Sequence, residues 1–164
     1  MAVVAVTGHM DLTEGSVPLV RHALLDLLGL LGREADGRLT GVSCIAAGAD
    51  SLFAEAVLDL GGRLVVVLPS ADYREAKVKP DFAERFDRLH RAAAEVVVMP
   101  FAEAGRDAYE AANDELLRRA DRLVAVWDGR PGNGRGGTAD TVAAARAAGL
   151  PVEVVWPHGA ARKG

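Results

Sequence analysis

Cysteine occurs once in the chain, at Cys44, so neither an intrachain disulfide nor a cysteine-built zinc site can form. Cys44 sits in the apolar run GVSCIA and reads as a small buried hydrophobe. Aromatic residues make up only 5% of the sequence, so the core has to come from alanine, valine and leucine. Basic residues are not in excess. Lys and Arg number 19 against 23 Asp and Glu, a formal net charge of −4. That supplies no global field for nucleic acid, and nucleic acid is not expected as a partner. No apolar run approaches the roughly 18 residues of a membrane span. The opening MAVVAVTGH has no basic leader pattern, and the chain reads as cytoplasmic. His22, His90 and His158 fall on helical stretches or the tail without partners, and no metal-ligand spacing is present. There is no GxxxxGK[ST] phosphate loop, no GxGxxG after the first strand and no GxSxG elbow.

What is present is an alternation of apolar runs and helical patterns. Strands are expected at VVAV (3–6), GVSCIA (41–46), RLVVVLP (63–69), EVVVMP (95–100), RLVAVW (122–127) and VEVVW (152–156). Helices are expected over about 16–31, 50–61, 81–93, 107–120 and 138–148, from leucine and alanine at helical spacing and from start and stop residues. The strands are continuous apolar runs, which suits a parallel sheet covered on both faces. Repeated strand–helix units with right-handed crossovers give an α/β, doubly wound, Rossmann-like sheet in three layers. The chain reads as one domain, 1–157, followed by a polar tail, 158–164, that is expected to fray.

Ligands of such sheets bind beyond the carboxyl ends of the strands, where the winding reverses. Four loops lie there. The first, TGHMD, offers Thr7, Gly8 and His9, with His9 suited to a phosphate contact or acid–base work. The second, AAGAD, offers Gly48 for a tight turn, and Asp50 either as a helix cap or as an acceptor for a ribose or base. The third, PSADYREAK, holds Tyr73 and Lys77 and reads as solvated loop. The fifth strand leads into GRPGNGRGGTADTV, with five glycines among fourteen residues. Here Arg130 to Asn133 look like ordinary turn. Gly136, Gly137 and Thr138 look like an anion seat at a helix start, with Arg135 able to add charge. Asp128 is either a ribose contact or a cap of its own loop, and Trp127 is either half-buried core or a platform for a base. Asp50, Glu55 and Asp140 are the carboxylates placed to assist a reaction, and no catalytic residue is assigned. For TGHM and GRGGT to share one ligand the fifth strand must lie beside the first, which requires the order 4-3-2-1-5-6.

Three segments in this order, VTGH, AAGADSLFAEAVLDLGGRLVVVLP and NDELLRRADRLVAVWDG…GGTADTV, resemble the SLOG superfamily of Rossmann-like proteins. That group contains LOG-type proteins, DNA-processing protein A and YpsA-like proteins, and the resemblance covers about residues 3–156. The Asn113–Asp121 spacing and the pattern Gly136, Gly137, Thr138, Thr141 are most similar to YpsA-like members. The resemblance implies a pocket for a nucleotide or nucleotide-derived phosphate ligand, in a sensor or carrier role. Its walls would be Thr7, Gly8, His9, Gly48, Asp50, Asp128, Gly136, Gly137, Thr138 and Thr141. A nucleotide is thus the expected bound molecule, with no other cofactor and no metal, and a homodimer is the quaternary state such relatives suggest. LOG-type phosphoribohydrolases carry a Glu where this chain has Thr141, and a Thr hydroxyl is no carboxylate base. Met10 stands where an Arg often clamps phosphate. Holding a ligand is therefore favoured over cleaving an N-glycosidic bond. Binding of single-stranded DNA, as by DNA-processing protein A, is the remaining alternative.

Overall fold

Valine-rich runs and leucine-rich helices alternate along the chain, and the computed structural model turns each run into a parallel strand. It describes residues 2–132 and 137–164. The strands are β1 (Ala2–Gly8), β2 (Leu39–Ser43), β3 (Arg63–Leu68), β4 (Glu95–Val98), β5 (Arg122–Val126) and β6 (Val152–Val155). The helices are α1 (Ser16–Glu34), α2 (Ala49–Asp59), α3 (Tyr73–Lys77), α4 (Pro80–Ala92), α5 (Arg106–Arg119) and α6 (Thr138–Ala147). The six strands form one sheet in the order β4-β3-β2-β1-β5-β6, as the shared-ligand reasoning requires. Every pairing is parallel, with Val4 opposite Gly41 and Gly8 opposite Val126.

Successive side chains of a strand point to opposite faces, and the core divides accordingly. Val4 and Val6 of β1 pack under α1 and α2, with Val20, Leu24, Leu28 and Phe53 fully buried. Ala5 of the same strand faces the other way, toward Ala112 and Leu116 of α5 and Val142 and Ala145 of α6. Near β3 the first layer continues with Phe86 and Leu89 of α4. Each such buried Leu or Phe contributes about 1.5–3 kcal/mol of transfer free energy. Helix α1 thus directs Leu24, Leu28 and Leu31 into the core and leaves Leu19 and Leu30 exposed.

Two features differ from expectation. Residues 73–77, read as loop, form the short helix α3. The tail is tied down rather than frayed. Leu12 and Arg162 form an antiparallel bridge, Thr13 donates its N–H to the Ala161 carbonyl at 3.0 Å, and Lys163 donates to the Asp11 carbonyl at 2.7 Å. The buried Ser16 hydroxyl donates to the Ala161 carbonyl at 3.1 Å and accepts the Ala161 N–H at 2.8 Å. These bonds outweigh the polar composition that suggested fraying.

Candidate functional site

The reversal of strand order falls between β1 and β5, and the loops leaving those two strands touch. The N–H of His9 donates to the Val126 carbonyl at 3.1 Å, and the N–H of Asp128 donates to His9 Nε2 at 3.1 Å. The same nitrogen lies 3.4 Å from Asp128 Oδ1. Burial and the Arg162 guanidinium hold the His9 pKa below the usual histidine value, with Asp128 opposing them. Its ring stands edge-on to Trp156, with centroids 5.6 Å apart. His9 therefore joins the ends of β1, β5 and β6. Arg162 of the tail pairs with Asp11 at 2.8 Å and approaches Asp128 at 3.9 Å, closing that side.

Above the joint lies a cleft of about 1130 Å³, slightly larger than the roughly 300–1,000 Å³ usual for small-molecule sites. Its walls include Thr7, Gly8, His9, Asp50, Asp128, Gly137 and Thr138, seven of the residues the sequence pointed to. Gly136 and Arg135 lie outside the described residues. Gly48 and Thr141 do not line the cleft. Thr141 is buried, and its Oγ1 donates to the Gly137 carbonyl at 3.3 Å, bonding back along its own helix. Gly48 has φ +88°, and a Cβ there would stand 2.7 Å from the His9 carbonyl oxygen and from Met10 Cα. A Cβ on Gly8 would stand 2.5 Å from Ala49 Cβ. Both glycines let α2 approach β1, so they shape the wall by close packing. Asp128 caps its own loop, accepting the Arg130 N–H at 3.0 Å, while Trp127 Nε1 donates to the Arg130 carbonyl at 2.9 Å.

Asp50 is no helix cap. Gly48 holds the cap position of α2, Asp50 lies in the first turn, and no side-chain cap bond forms. Its carboxyl meets the Ala46 N–H, and no cation pairs with it among the described residues. Burial pushes its pKa up to about 7, the backbone contact opposing only part of that. The turn that presents it is strained. Ile45, a buried β-branched residue, has φ +47°. Ser43 holds this kink, its hydroxyl accepting the Ile45 N–H at 3.0 Å and donating to the Asp50 carbonyl at 3.0 Å. Glu55, considered as a reaction carboxylate, is drawn away into pairs with Arg85 at 2.6 Å, Arg88 at 2.9 Å and Arg21 at 3.7 Å.

Several wall residues carried no usable sequence signal. Tyr73 and Tyr109 come from α3 and α5, Cys44 from the end of β2, and Trp156 and Arg162 from the chain's last segment, while Asn113 of α5, noted only for its spacing to Asp121, also lines the cleft. The solvated reading of Tyr73 is corrected by the structure, since it is buried against Phe86 and Tyr109. Burial raises the Cys44 thiol pKa well above its ordinary value, with Asp50 adding to the effect. Helix α6 presents Gly137, Thr138 and Ala139 to the cleft, and Lys77, Arg130 and Lys163 lie on the same walls. None of these three cations forms a salt bridge among the described residues. No cluster of metal-ligating side chains is found among the described residues. No helix is long and apolar enough to cross a membrane.

No family model matches the sequence, and no curated protein matches it closely. Solved structures do match. DNA processing protein A from Streptococcus pneumoniae is 17% identical, with a TM-score of 0.70 over 97% of this chain and 52% of that one. The chain thus spans about half the length of that protein. DNA processing protein A from Helicobacter pylori, described for a single-stranded DNA binding mode, is 15% identical, with a TM-score of 0.68 over 98% of this chain and 68% of that one. The Moco carrier protein of Chlamydomonas rheinhardtii is 19% identical, with a TM-score of 0.53 over 93% and 74%. The chain therefore has the Rossmann-like fold that these structures share. The expectation that nucleic acid is not a partner finds no support in these likenesses.

Proposed function

We propose that the protein binds a nucleotide or nucleotide-derived phosphate ligand in the cleft above β1 and β5. One observation carries this reading. The first turn of α6 faces the cleft through Gly137 and Thr138, and Arg130 and Lys163 lie on the same walls, with Lys77 contributed by α3. Helix starts have unbonded N–H groups and a positive dipole end, and they favour phosphate.

Gly137 provides a clean test. Its backbone is extended, and a Cβ there would meet no atom of the described residues within 4 Å. Gly137→Val should leave the melting temperature of the free protein unchanged and still fill the seat. Nucleoside monophosphates should raise the melting temperature of the wild type and not of Gly137→Val. Equal shifts in both proteins would put the phosphate elsewhere. No shift in either would reject the pocket.

A glycosidic-bond hydrolase is the second reading, and the raised pKa of Asp50 favours it. A carboxyl titrating near 7 suits proton transfer at neutral pH. Base release from nucleoside monophosphates, lost in Asp50→Ala, would select it over simple binding. The fold shared with DNA processing protein A keeps single-stranded DNA as the third reading. An oligonucleotide that binds at least as tightly as a mononucleotide per site would select that one.

A further inference from the structure

The two ends of the cleft differ in chemistry. The α6 end has backbone donors and cations. The end over β2 and β3 has Asp50, Cys44, Tyr73 and Tyr109. An ionised carboxylate is acceptor-only, with room for about four hydrogen bonds on its two oxygens. That of Asp50 receives the Ala46 N–H and no cation. Two parallel N–H donors fill the remaining positions best, the arrangement that makes bidentate pairs strong. Among nucleobases, guanine alone carries two adjacent donors on its pairing edge, the ring N–H and the 2-amino group. Adenine and cytosine place a donor next to an acceptor there, and uracil has one donor between two acceptors.

We infer that the Asp50 end of the cleft recognises the paired-donor edge of a guanine-type ring, with the carboxylate accepting both N–H groups and Tyr73 and Tyr109 forming the apolar walls. This rests on the nucleotide reading above. A pterin ring carries the same edge, so the chemistry is shared by two ligand sources.

The recognition has a protonation signature. Burial raises the Asp50 pKa to about 7. The groups facing it, Cys44 beyond β2 and Tyr73 on α3, are themselves pushed up and stay neutral. Burial holds the His9 pKa on the β1 loop below its usual value, and Lys77 of α3 lies on the cleft wall. A guanine edge needs the carboxylate, so its binding should strengthen as pH rises toward and past 7 and should release a proton. An adenine edge, a donor beside an acceptor, fits the protonated carboxyl and should weaken over the same range.

Calorimetry with GMP, IMP, AMP and neopterin monophosphate, at pH values from about 6 to about 8, tests this directly. GMP should bind about tenfold or more tighter than AMP and than IMP, which lacks the 2-amino group, at about pH 8. The preference over AMP should shrink toward pH 6. Asp50→Asn should still bind all the phosphates but lose both the preference and the pH dependence. If the pterin binds tighter than GMP, the edge is supported and the pterin is the source. AMP or IMP binding as well as GMP at pH 8, or a preference that survives in Asp50→Asn, overturns this inference while leaving nucleotide binding intact. If none of the four binds, both fall together.

Discussion

A methyl group at position 48 has nowhere to go. It would meet backbone atoms of His9 and Met10 at 2.7 Å, in a residue whose φ of +88° L side chains avoid. Gly48→Ala should therefore destabilise the protein by about 2 kcal/mol or more, combining positive-φ strain with a backbone clash. Chemical denaturation will show it. A change below 0.5 kcal/mol would mean that the β1 and AAGAD loops are not in contact (roughly the range of a neutral surface substitution). Asp50 behaves in the opposite way. Its folded pKa of about 7 lies above the ordinary 3.8, so between these values the native state holds a proton that the unfolded chain has lost. Stability should fall as pH rises from about 4 to 7 and then level off. Asp50→Asn should remove that slope and gain on the order of 4 kcal/mol at pH 8, the equivalent of moving a pKa from 3.8 to about 7 at about 1.4 kcal/mol per unit. A destabilised Asp50→Asn would show that the carboxyl has a stabilising partner after all. The same burial makes Cys44 a poor nucleophile, so native Cys44 should alkylate far more slowly than the unfolded thiol at about pH 8.

At the scale of elements, the tail depends on α1. Ser16 is buried at the start of that helix and bonds Ala161 twice, with the Thr13 hydroxyl 2.6 Å away. Ser16→Ala should release residues 160–163. Amide exchange at Ala161 and Lys163 should be slow in the wild type and fast in the variant, with global stability falling by about 1–2 kcal/mol. Unchanged protection would show that the Leu12–Arg162 bridge alone holds the tail. The elements also show what a sequence can disclose. Continuous valine runs and leucine spacing announce the strands and long helices within a few residues of their bounds, because burial of whole faces leaves a periodic trace. The five residues of α3 span little more than one turn and leave none. The tail pairs through backbone atoms and one serine, so its letters stay polar while its backbone is bound. Glycine is ambiguous for a related reason. Gly8 lines the cleft and also lets α2 approach the end of β1, while Gly48 lies off the cleft and serves that close approach. Gly137 has open space where a Cβ would stand, so packing among the described residues does not account for it. Thr141 stands in a conspicuous pattern yet turns into its own helix, a direction that spacing does not encode.

Across the whole molecule, the strand order decides where chemistry can occur. Placing β5 beside β1 brings the TGHMD loop, the AAGAD turn and the start of α6 to one cleft, with α3, α5 and the tail closing its sides. The cleft is polar and cationic at one end and tyrosine-lined with a lone carboxyl at the other. The ligand we propose, with a phosphate and a hydrogen-bonding ring, would engage both ends. The most direct measurement is amide-shift mapping of the labelled protein during titration with a nucleoside monophosphate. The account predicts saturable shifts at Gly137 and Thr138 together with Asp50 and Tyr73, one ligand spanning both ends. Shifts confined to residues outside the cleft, or none at millimolar nucleotide, would contradict it.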